Sequence, residues 1–308
     1  MFLTRRARSL TTRVAVFAAV SLAMLGCAPA KSDLPPEPTP VSTEIAISGT
    51  GDEVPTFDFE TPFPVVEPRA EVLWRADGDR IEDGQPILVR LVAADGKTGD
   101  IVRNDFDSVP AVLRMDPKQI GSQMFEVLSG LTFGSRVMLV STDEDTSQIT
   151  VADVFASFAT GTDNEPEAQM PTVTYGAAHE PNIEIAPDLE APQALQVQQL
   201  KIGRGPQVDP GSTVVLQFVG VAWSTGKVFD TTWGPESLPV AVTVGEDYLI
   251  QGLDENLVGV PVGSQIMVVV PPDLGFGPTE NELAEETLVY VVDILAASAG
   301  PSTEPSGE

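Results

Sequence analysis

This chain of 308 residues contains one stretch twice. The segment EVLWRADGDRIEDGQPILVRLVA (Glu71–Ala93) aligns with QQLKIGRGPQVDPGSTVVLQFVG (Gln198–Gly220) at a constant offset of 127 residues. Further along, GSRVMLV aligns with GSQIMVV at an offset of 129, and VADVFA aligns with VVDILA at 140. A register kept over the length of a domain predicts two copies of one fold. We name them the first unit (residues 67–160) and the second unit (residues 196–297).

The residue patterns of each unit favour an α+β fold. Runs such as TVVLQFVGVAW and SQIMVVV are rich in β-branched residues and end at turn residues, which predicts strands. One stretch, YLIQGLDENLVGVPVG, differs, because Gly259 and Pro261 end it in the way that helices end. We therefore expect a mostly antiparallel sheet wrapped around one short helix. The apolar residues at helical spacing are Leu249, Ile250, Leu253, Leu257 and Val258.

Composition excludes several classes of function. A formal net charge of −28 argues against binding to nucleic acid. The single histidine, His179, lies in the polar segment AAHEPN, and Cys27 is the one cysteine. No zinc cluster and no Ser/His/Asp triad can be assembled from them, so we expect no metal and no cofactor.

The N-terminus predicts export. An apolar run, VAVFAAVSLAMLG, follows a basic start and precedes Cys27. The ending AMLGCAPA resembles a bacterial lipoprotein box, which implies a signal peptide over residues 1–26 and a lipid on Cys27. An ordinary signal peptide that contains a cysteine is the alternative. With the lipid, the protein would be extracytoplasmic and anchored to the bacterial cell membrane. The basic residues are Arg5, Arg6, Arg8 and Arg13.

Three segments predict connections rather than domains. Residues 27–66 are rich in Pro, Ser, Thr and acids, which predicts a disordered tether. Residues 161–195 form an acidic, proline-rich linker, whose part PNIEIAP is able to add an edge strand to the second unit. Residues 298–308 predict a disordered tail.

Several pieces of the second unit resemble one family in order and spacing. They are QFVG, GKVFDTT, VTVGEDYLIQGLDENLVGVPVGSQ, VVVPPDLGFG and TLVYVVDIL. Together they resemble the FKBP-type peptidyl-prolyl cis-trans isomerases over about 100 residues. The resemblance implies an antiparallel sheet around a short helix, with a shallow apolar pocket that binds proline. It also implies that proline-containing unfolded or exported polypeptides are the partners.

The resemblance assigns five positions of the pocket directly. Phe229 and Tyr290 match aromatic walls, and Asp230 matches an acid of the polar network. Ile250 matches the position whose backbone N–H holds a substrate carbonyl, and Leu249 stands next to it.

Four further pocket positions depart from the family's commonest pattern. Phe218 and Phe276 stand where tyrosine is usual, Leu253 where tryptophan is usual, and Val240 where phenylalanine is usual. Two hydroxyls and much ring area are lost, but the positions stay apolar. We expect an active but modest isomerase with poor affinity for the macrolide inhibitors of the family.

The first unit is the weaker copy. Phe229 and Asp230 become Val102 and Arg103, and the first unit is 11 residues shorter where Phe276 lies. We expect it to fold like the second unit without isomerising proline, as a client-binding module, a support or a spacer. The other replacements are Leu91 for Phe218, Met124 for Leu253 and Gly121 for Ile250.

Two functions therefore stay open on the sequence. In one, the second unit is a membrane-anchored isomerase that assists the folding of exported proteins. In the other, both units are catalytically silent folds that bind unfolded chains at the cell surface.

Overall fold

A computed structural model of the chain describes residues 45–300 apart from residues 52, 144, 166 and 247. The described residues belong to one compact unit. The predicted signal peptide, Cys27, and residues 301–308 of the predicted tail lie outside them. Within this described part, no helix is long and apolar enough to cross a membrane.

The first half of the chain forms eight strands and two short helices. They are β1 (Ile45–Ser48), β2 (Thr56–Phe59), β3 (Arg69–Trp74), β4 (Pro86–Asp95), β5 (Ile101–Asn104), β6 (Ala111–Arg114), α1 (Pro117–Ile120), α2 (Ser122–Leu128), β7 (Arg136–Asp143) and β8 (Thr146–Ala156).

The second half forms nine strands, one α-helix and one 3-10 turn (Pro272–Leu274). They are β9 (Thr162–Asp163), β10 (Thr172–Tyr175), β11 (Pro181–Glu184), β12 (Gln196–Ile202), β13 (Thr213–Ala222), β14 (Val228–Thr231), β15 (Val240–Thr243), α3 (Gln251–Leu257), β16 (Gln265–Val270) and β17 (Leu288–Ala297).

The two units have sheets with the same strand order. In the first unit the order is β3-β7-β8-β4-β5 with β6 also on β4, and in the second it is β12-β16-β17-β13-β14 with β15 also on β13. All of these pairings are antiparallel. The expected architecture of mostly antiparallel sheet with little helix is confirmed, while the description of the first unit as FKBP-like stays a prediction.

Both faces of each sheet are buried. In β13, every residue after Thr213 is buried, so the strand does not show the alternation of a sheet with one wet face. One face packs on the helix of its unit, through side chains such as Leu216 and Phe218. The other face, here called the hairpin face, carries Val219 and Val221.

Helix α3 lies close to the sheet because Gly252 has no side chain. A Cβ atom at that position would lie 2.5 Å from Cγ1 of Val270 on β16. Leu253 and Leu257, four residues apart, are both buried against the sheet. Gly259 has φ of +80°, which suits a glycine just beyond a helix end.

A β-hairpin, β1–β2, occupies part of the predicted disordered tether, so the prediction of disorder is wrong for Ile45–Ser48 and Thr56–Phe59, while residues 27–44 lie outside the described residues. Ile45 and Phe63 are buried against the hairpin face of the first unit. Two short strands are not stable alone in water, and the sheet beneath them supplies the apolar contacts. The tether composition did not predict this packing.

A second hairpin, β10–β11, lies within the predicted linker of residues 161–195. Ile183 is buried against the hairpin face of the second unit. The prediction that PNIEIAP adds an edge strand to this sheet is wrong, because Pro181–Glu184 pairs with β10. The outer edge of β12 is taken by β9 instead. Since Ile45–Ser48 and Thr172–Tyr175 again lie 127 residues apart, each repeat includes a hairpin.

Equivalent polar side chains lie under the two hairpins. In the first unit, Arg136 and Asp153 form a buried ion pair, and the Arg136 guanidinium donates to the carbonyl of Gly49 at 2.8 Å. In the second unit, Gln265 takes the place of Arg136 and donates to the carboxylate of Asp293 at 2.6 Å. The Tyr175 hydroxyl of β10 in turn donates to the side-chain oxygen of Gln265. A polar pair at the same place in both repeats therefore anchors the covering hairpin to its sheet.

Asp293 is a buried acid, and hydrogen bonds and a nearby positive charge offset part of the cost of burying its carboxylate. Burial raises the pKa of Asp293. Hydrogen bonds from Gln265 and from the backbone of Ala159, together with the charge of Lys201, offset part of this rise, and the pKa lies at about 6. The Ala159 N–H donates to the Asp293 carboxylate at 2.9 Å. Because Ala159 lies just after β8, this bond ties the end of the first unit to the second sheet.

Candidate active site

Four aromatic rings meet on the helix face of the second sheet. The ring of Phe229 meets those of Tyr290 and Phe276 edge to face, with centroid separations of 5.5 and 6.3 Å. Phe218 meets Tyr290 at 6.1 Å. Phe218 and Tyr290 are buried, whereas Phe229 and Phe276 are half-buried and form the outer part of the cluster. The four rings form an apolar cluster with two half-buried rings on its outer side, and we call this cluster the recess.

A β-bulge directs Phe229 into this recess. Gly220 on β13 pairs with Asp230 and Val221 pairs with Val228, so Phe229 is the extra residue of β14. Both Phe229 and the next residue, Asp230, approach Tyr290 on the helix face. Simple alternation along a strand would have placed the two side chains on opposite faces.

Gly220 makes room for the rings. A Cβ atom at this position would lie 2.8 Å from Cε1 of Tyr290 and 2.9 Å from Cζ of Phe229, closer than real contacts allow. A glycine inside a strand often marks such a close approach. In the sequence, the only sign of this role is that Gly220 lies inside a predicted strand. Gly220 was not among the predicted site residues.

Tyr290 stays a phenol at all ordinary pH values. Burial raises the pKa of Tyr290 well above its usual value, and the nearby carboxylate of Asp230 raises that pKa further. A protonated hydroxyl therefore faces an exposed carboxylate at the edge of the recess. Phe218 lacks the hydroxyl of the tyrosine that is usual at its position. The hydroxyl near Asp230 belongs to Tyr290 instead.

The start of helix α3 borders the recess from another side. Leu253 is buried in the apolar core that contains Phe218 and Tyr290, and Leu249 and Ile250 pack against that core. Ile250 is the residue that precedes the helix, so its N–H lies outside the hydrogen-bond ladder of α3. Val240 opens β15 and packs on the same cluster from its place opposite Leu216.

The loop after β16 holds Phe276 in place. Pro271 and Pro272 end the strand, and a 3-10 turn follows. The Gly277 N–H donates to the carbonyl of Pro272 at 2.8 Å, with Gly277 at a φ of +53° that favours glycine. Leu274 and Leu283 of this loop also pack on the cluster, and they are contacts that the sequence reasoning missed.

The structure thus brings all the predicted side chains of the second unit together. The roles assigned to them stay predictions, and Cys27 lies outside the described residues. They are Phe218, Phe229, Asp230, Val240, Leu249, Ile250, Leu253, Phe276 and Tyr290.

The equivalent place in the first unit has no such recess. Val102, at the position of Phe229, is 54% exposed, and Arg103 pairs with Asp105 at 2.9 Å. Ala93 replaces Gly220, and Thr150 replaces Tyr290 as its cross-strand partner. Only two residues separate Asp143 at the end of β7 from Thr146 at the start of β8, which leaves no length for a loop like that of Phe276.

The site offers apolar contact and hydrogen bonds rather than covalent chemistry. Within the described part of the chain, no group of three or more His, Cys, Asp or Glu side chains is placed to hold a metal ion. A cavity of about 700 Å³ at the other end of the sheet contains none of the predicted site residues. Its lining includes Thr243, Gly245, Asp254 and Val258.

Comparison with known proteins gives a consistent family. The model of the FKBP-type peptidyl-prolyl cis-trans isomerase family matches residues 205–295. A probable FK506-binding protein of Corynebacterium glutamicum is 32% identical over 119 residues, which is 38% of this chain and 98% of the relative. An FK506-binding protein of Streptomyces anulatus is 33% identical over 114 residues, which is 36% of this chain and 91% of the relative.

Solved structures include a crystal structure of FkpA from Escherichia coli, with a TM-score of 0.31 and 24% identity over 42% of this chain and 53% of that chain. The bacterial relatives are matched over nearly their whole length, and the matched segment contains the ring cluster. This chain belongs to the FKBP-type peptidyl-prolyl cis-trans isomerase family.

Proposed function

We propose that the second unit binds proline in the ring-lined recess and speeds rotation of the peptide bond before it. The observation that carries the proposal is the edge-to-face packing of Phe229 on Tyr290 and Phe276, with Gly220 making room for the rings of Phe229 and Tyr290. A proline ring is compact and apolar, and it fits between aromatic edges. Proline-containing exported polypeptides are the proposed clients.

The physics of the reaction suits a site without nucleophile or metal. Resonance holds the amide planar with a barrier of about 18–20 kcal/mol, and X–Pro exchange without a catalyst takes tens to hundreds of seconds. Twisting the bond breaks the resonance and makes the amide less polar. A recess that excludes water therefore favours the twisted form over the planar one.

Backbone and phenol groups complete the proposed site. The N–H of Ile250, which stands outside the ladder of α3, is suited to hold a client carbonyl. The phenol of Tyr290, kept protonated by its raised pKa, is a second donor in the recess. The carboxylate of Asp230 lies near enough to raise the pKa of this phenol and is suited to orient it. These groups position the client while the apolar walls lower the barrier.

Phe276 provides a test of how much the walls contribute. Phe276→Ala removes one ring at the opening and is expected to lower kcat/KM for a proline tetrapeptide about tenfold, which corresponds to about 1.4 kcal/mol. Phe276→Tyr keeps the ring and is expected to change kcat/KM less than about threefold. A protease-coupled isomerisation assay on the full chain measures both. Equal activity in the alanine variant and the wild type would contradict a wall at this position.

Lipid on Cys27 is the proposed membrane anchor. The support is sequence alone: a basic start, a short apolar run and the single cysteine at the expected cleavage point. Mass spectrometry of the native protein should find Cys27 as the N-terminal residue with added acyl mass. An unmodified N-terminus at another residue would contradict the anchor without affecting the isomerase proposal.

A further inference from the structure

Arg114 of the first unit reaches a loop that borders the recess of the second unit. It ends β6, and its guanidinium donates a hydrogen bond to the carbonyl of Gly84 at 2.8 Å. The same guanidinium donates to the carbonyl of Ser237, also at 2.8 Å. Ser237 belongs to residues 232–239, which connect β14 to β15 and which we name the pocket loop. One side chain therefore joins the two units at the edge of the candidate site.

The pocket loop is continuous with residues of the recess. At its start, the Thr232 N–H donates to the carbonyl of Phe218 at 3.0 Å, and the Phe218 N–H donates to the Thr232 hydroxyl at 2.8 Å. At its end, Val240 packs against the apolar core that contains Phe218 and Tyr290. The loop is therefore connected at one end to Phe218 and at the other to Val240, two predicted contacts of the client.

The first unit holds Arg114 firmly. The Gly84 N–H donates to the carbonyl of Met115 at 2.8 Å, and the Met115 N–H donates to that of Gln85 at 2.9 Å. The backbone N–H of Arg114 itself donates to the side-chain carbonyl of Gln119 at 2.9 Å. The carbonyl of Gly84 is thus a fixed acceptor, and the guanidinium that it binds is aimed at the pocket loop.

Apolar contacts also join the two units. Leu88 of the first unit and Val215, Leu295 and Ala296 of the second form one buried cluster, with Phe155 packed against it. Leu88 and Val215 are equivalent residues at the offset of 127, and Phe155 and Leu295 are equivalent at 140. The units therefore meet through the same patch on each, as two subunits related by a two-fold axis do.

We propose that the first unit positions the recess of the second unit, with Arg114 as the positioning residue. The inference rests on the proposed isomerase function. A loop that is already held in its binding conformation needs less ordering when a client binds, so pre-organisation strengthens binding. The proposal gives the first unit, which lacks equivalents of Phe229 and Asp230, a part in the same reaction.

The experiment compares variants of the full chain. Arg114→Ala removes the side chain, Arg114→Met keeps its aliphatic stem without the donors, and Arg114→Lys keeps the charge with a single donor centre. Arg103→Ala removes an exposed arginine of the neighbouring strand as the matched control. For each protein, kcat and KM are measured on a proline tetrapeptide, and amide hydrogen exchange is followed in residues 232–239.

Arg114→Ala and Arg114→Met should raise KM about three- to tenfold and change kcat less than about twofold. Exchange in the pocket loop should become faster in both, Arg114→Lys should be intermediate, and Arg103→Ala should match the wild type. Should Arg114→Ala fail to fold, Arg114→Met decides the question. Wild-type exchange and KM in Arg114→Met, or the same change in Arg103→Ala, would overturn the proposal.

The two proposals fail separately in this design. Hydrogen exchange in the pocket loop needs no catalysis, so it reports on the Arg114 link even if no proline peptide is isomerised. Absence of isomerisation by the folded wild type would refute the proposed function alone. Normal isomerisation with unchanged exchange and KM in Arg114→Met would refute the positioning role alone.

Discussion

Phe229→Ala is expected to lower kcat/KM for a proline tetrapeptide about 10- to 100-fold, which corresponds to about 1.4–2.7 kcal/mol of transition-state stabilisation. The ring of Phe229 contacts both Tyr290 and Phe276, so its removal opens the recess to water on two sides. A wet recess no longer favours the twisted amide. The change is measured by the initial rate of isomerisation at peptide concentrations far below KM.

The repeat supplies the control for this variant. Val102→Ala changes the equivalent residue of the first unit, which is 54% exposed. It should leave kcat/KM within about twofold of the wild type. Thermal unfolding of both variants separates lost activity from lost structure. If Phe229→Ala retained full activity, or if Val102→Ala lost as much, the recess would not be the reacting site.

Gly220→Ala is expected to lower kcat/KM at least about tenfold while the protein stays folded. The added methyl group would lie 2.8 Å from a ring carbon of Tyr290 and 2.9 Å from one of Phe229. Tyr290 is buried and unable to retreat, so the half-buried Phe229 must swing outward. Overpacking of this kind costs about 1–3 kcal/mol of stability.

Ala93→Gly in the first unit is the reciprocal substitution. It removes a methyl group at the position equivalent to Gly220, where Val102 and Thr150 replace the two rings, and should cost about 0.5–1 kcal/mol of stability with no effect on kcat/KM. Isomerisation rates and the free energy of unfolding are measured for both variants. Full activity in Gly220→Ala would show that the two rings do not need their present spacing.

Much of the fold was predictable because the two copies constrain each other. A register maintained from Glu71 to Ala93 and again from Gln198 to Gly220 predicted equivalent strands, and the two sheets share one strand order. The helix was also predictable, since Leu253 and Leu257 lie four residues apart and Gly259 follows. Strands and helices of this kind are predictable because the spacing of residues within each short segment indicates them.

The hairpins were not predictable from their composition. Strands β1 and β2 have four residues each and lie among acids and prolines, as disordered segments do. They become ordered because Ile45 and Phe63 pack on a sheet formed by residues far along the chain. The buried partners of Arg136 and Asp293 are likewise set by tertiary packing.

The candidate site was also predictable in part: its side chains were identified from the sequence, but their arrangement was not. Family resemblance identified the side chains, and the structure brings them into one cluster. The bulge that turns both Phe229 and Asp230 toward Tyr290 depends on strand register, which no local pattern specifies. Gly220 was aligned as a repeat position, but its closeness to two rings became visible only when β13, β14 and β17 were placed side by side.

Exchange spectroscopy by NMR tests the central claim most directly. A proline tetrapeptide alone interconverts over tens to hundreds of seconds and shows no cis–trans exchange cross-peaks on the subsecond scale. With the wild-type chain at about one hundredth of the peptide concentration, the account predicts such cross-peaks, and it predicts that Phe229→Ala removes most of their intensity. A folded wild-type chain that produces no cross-peaks, or a Phe229→Ala variant that produces them undiminished, would contradict it.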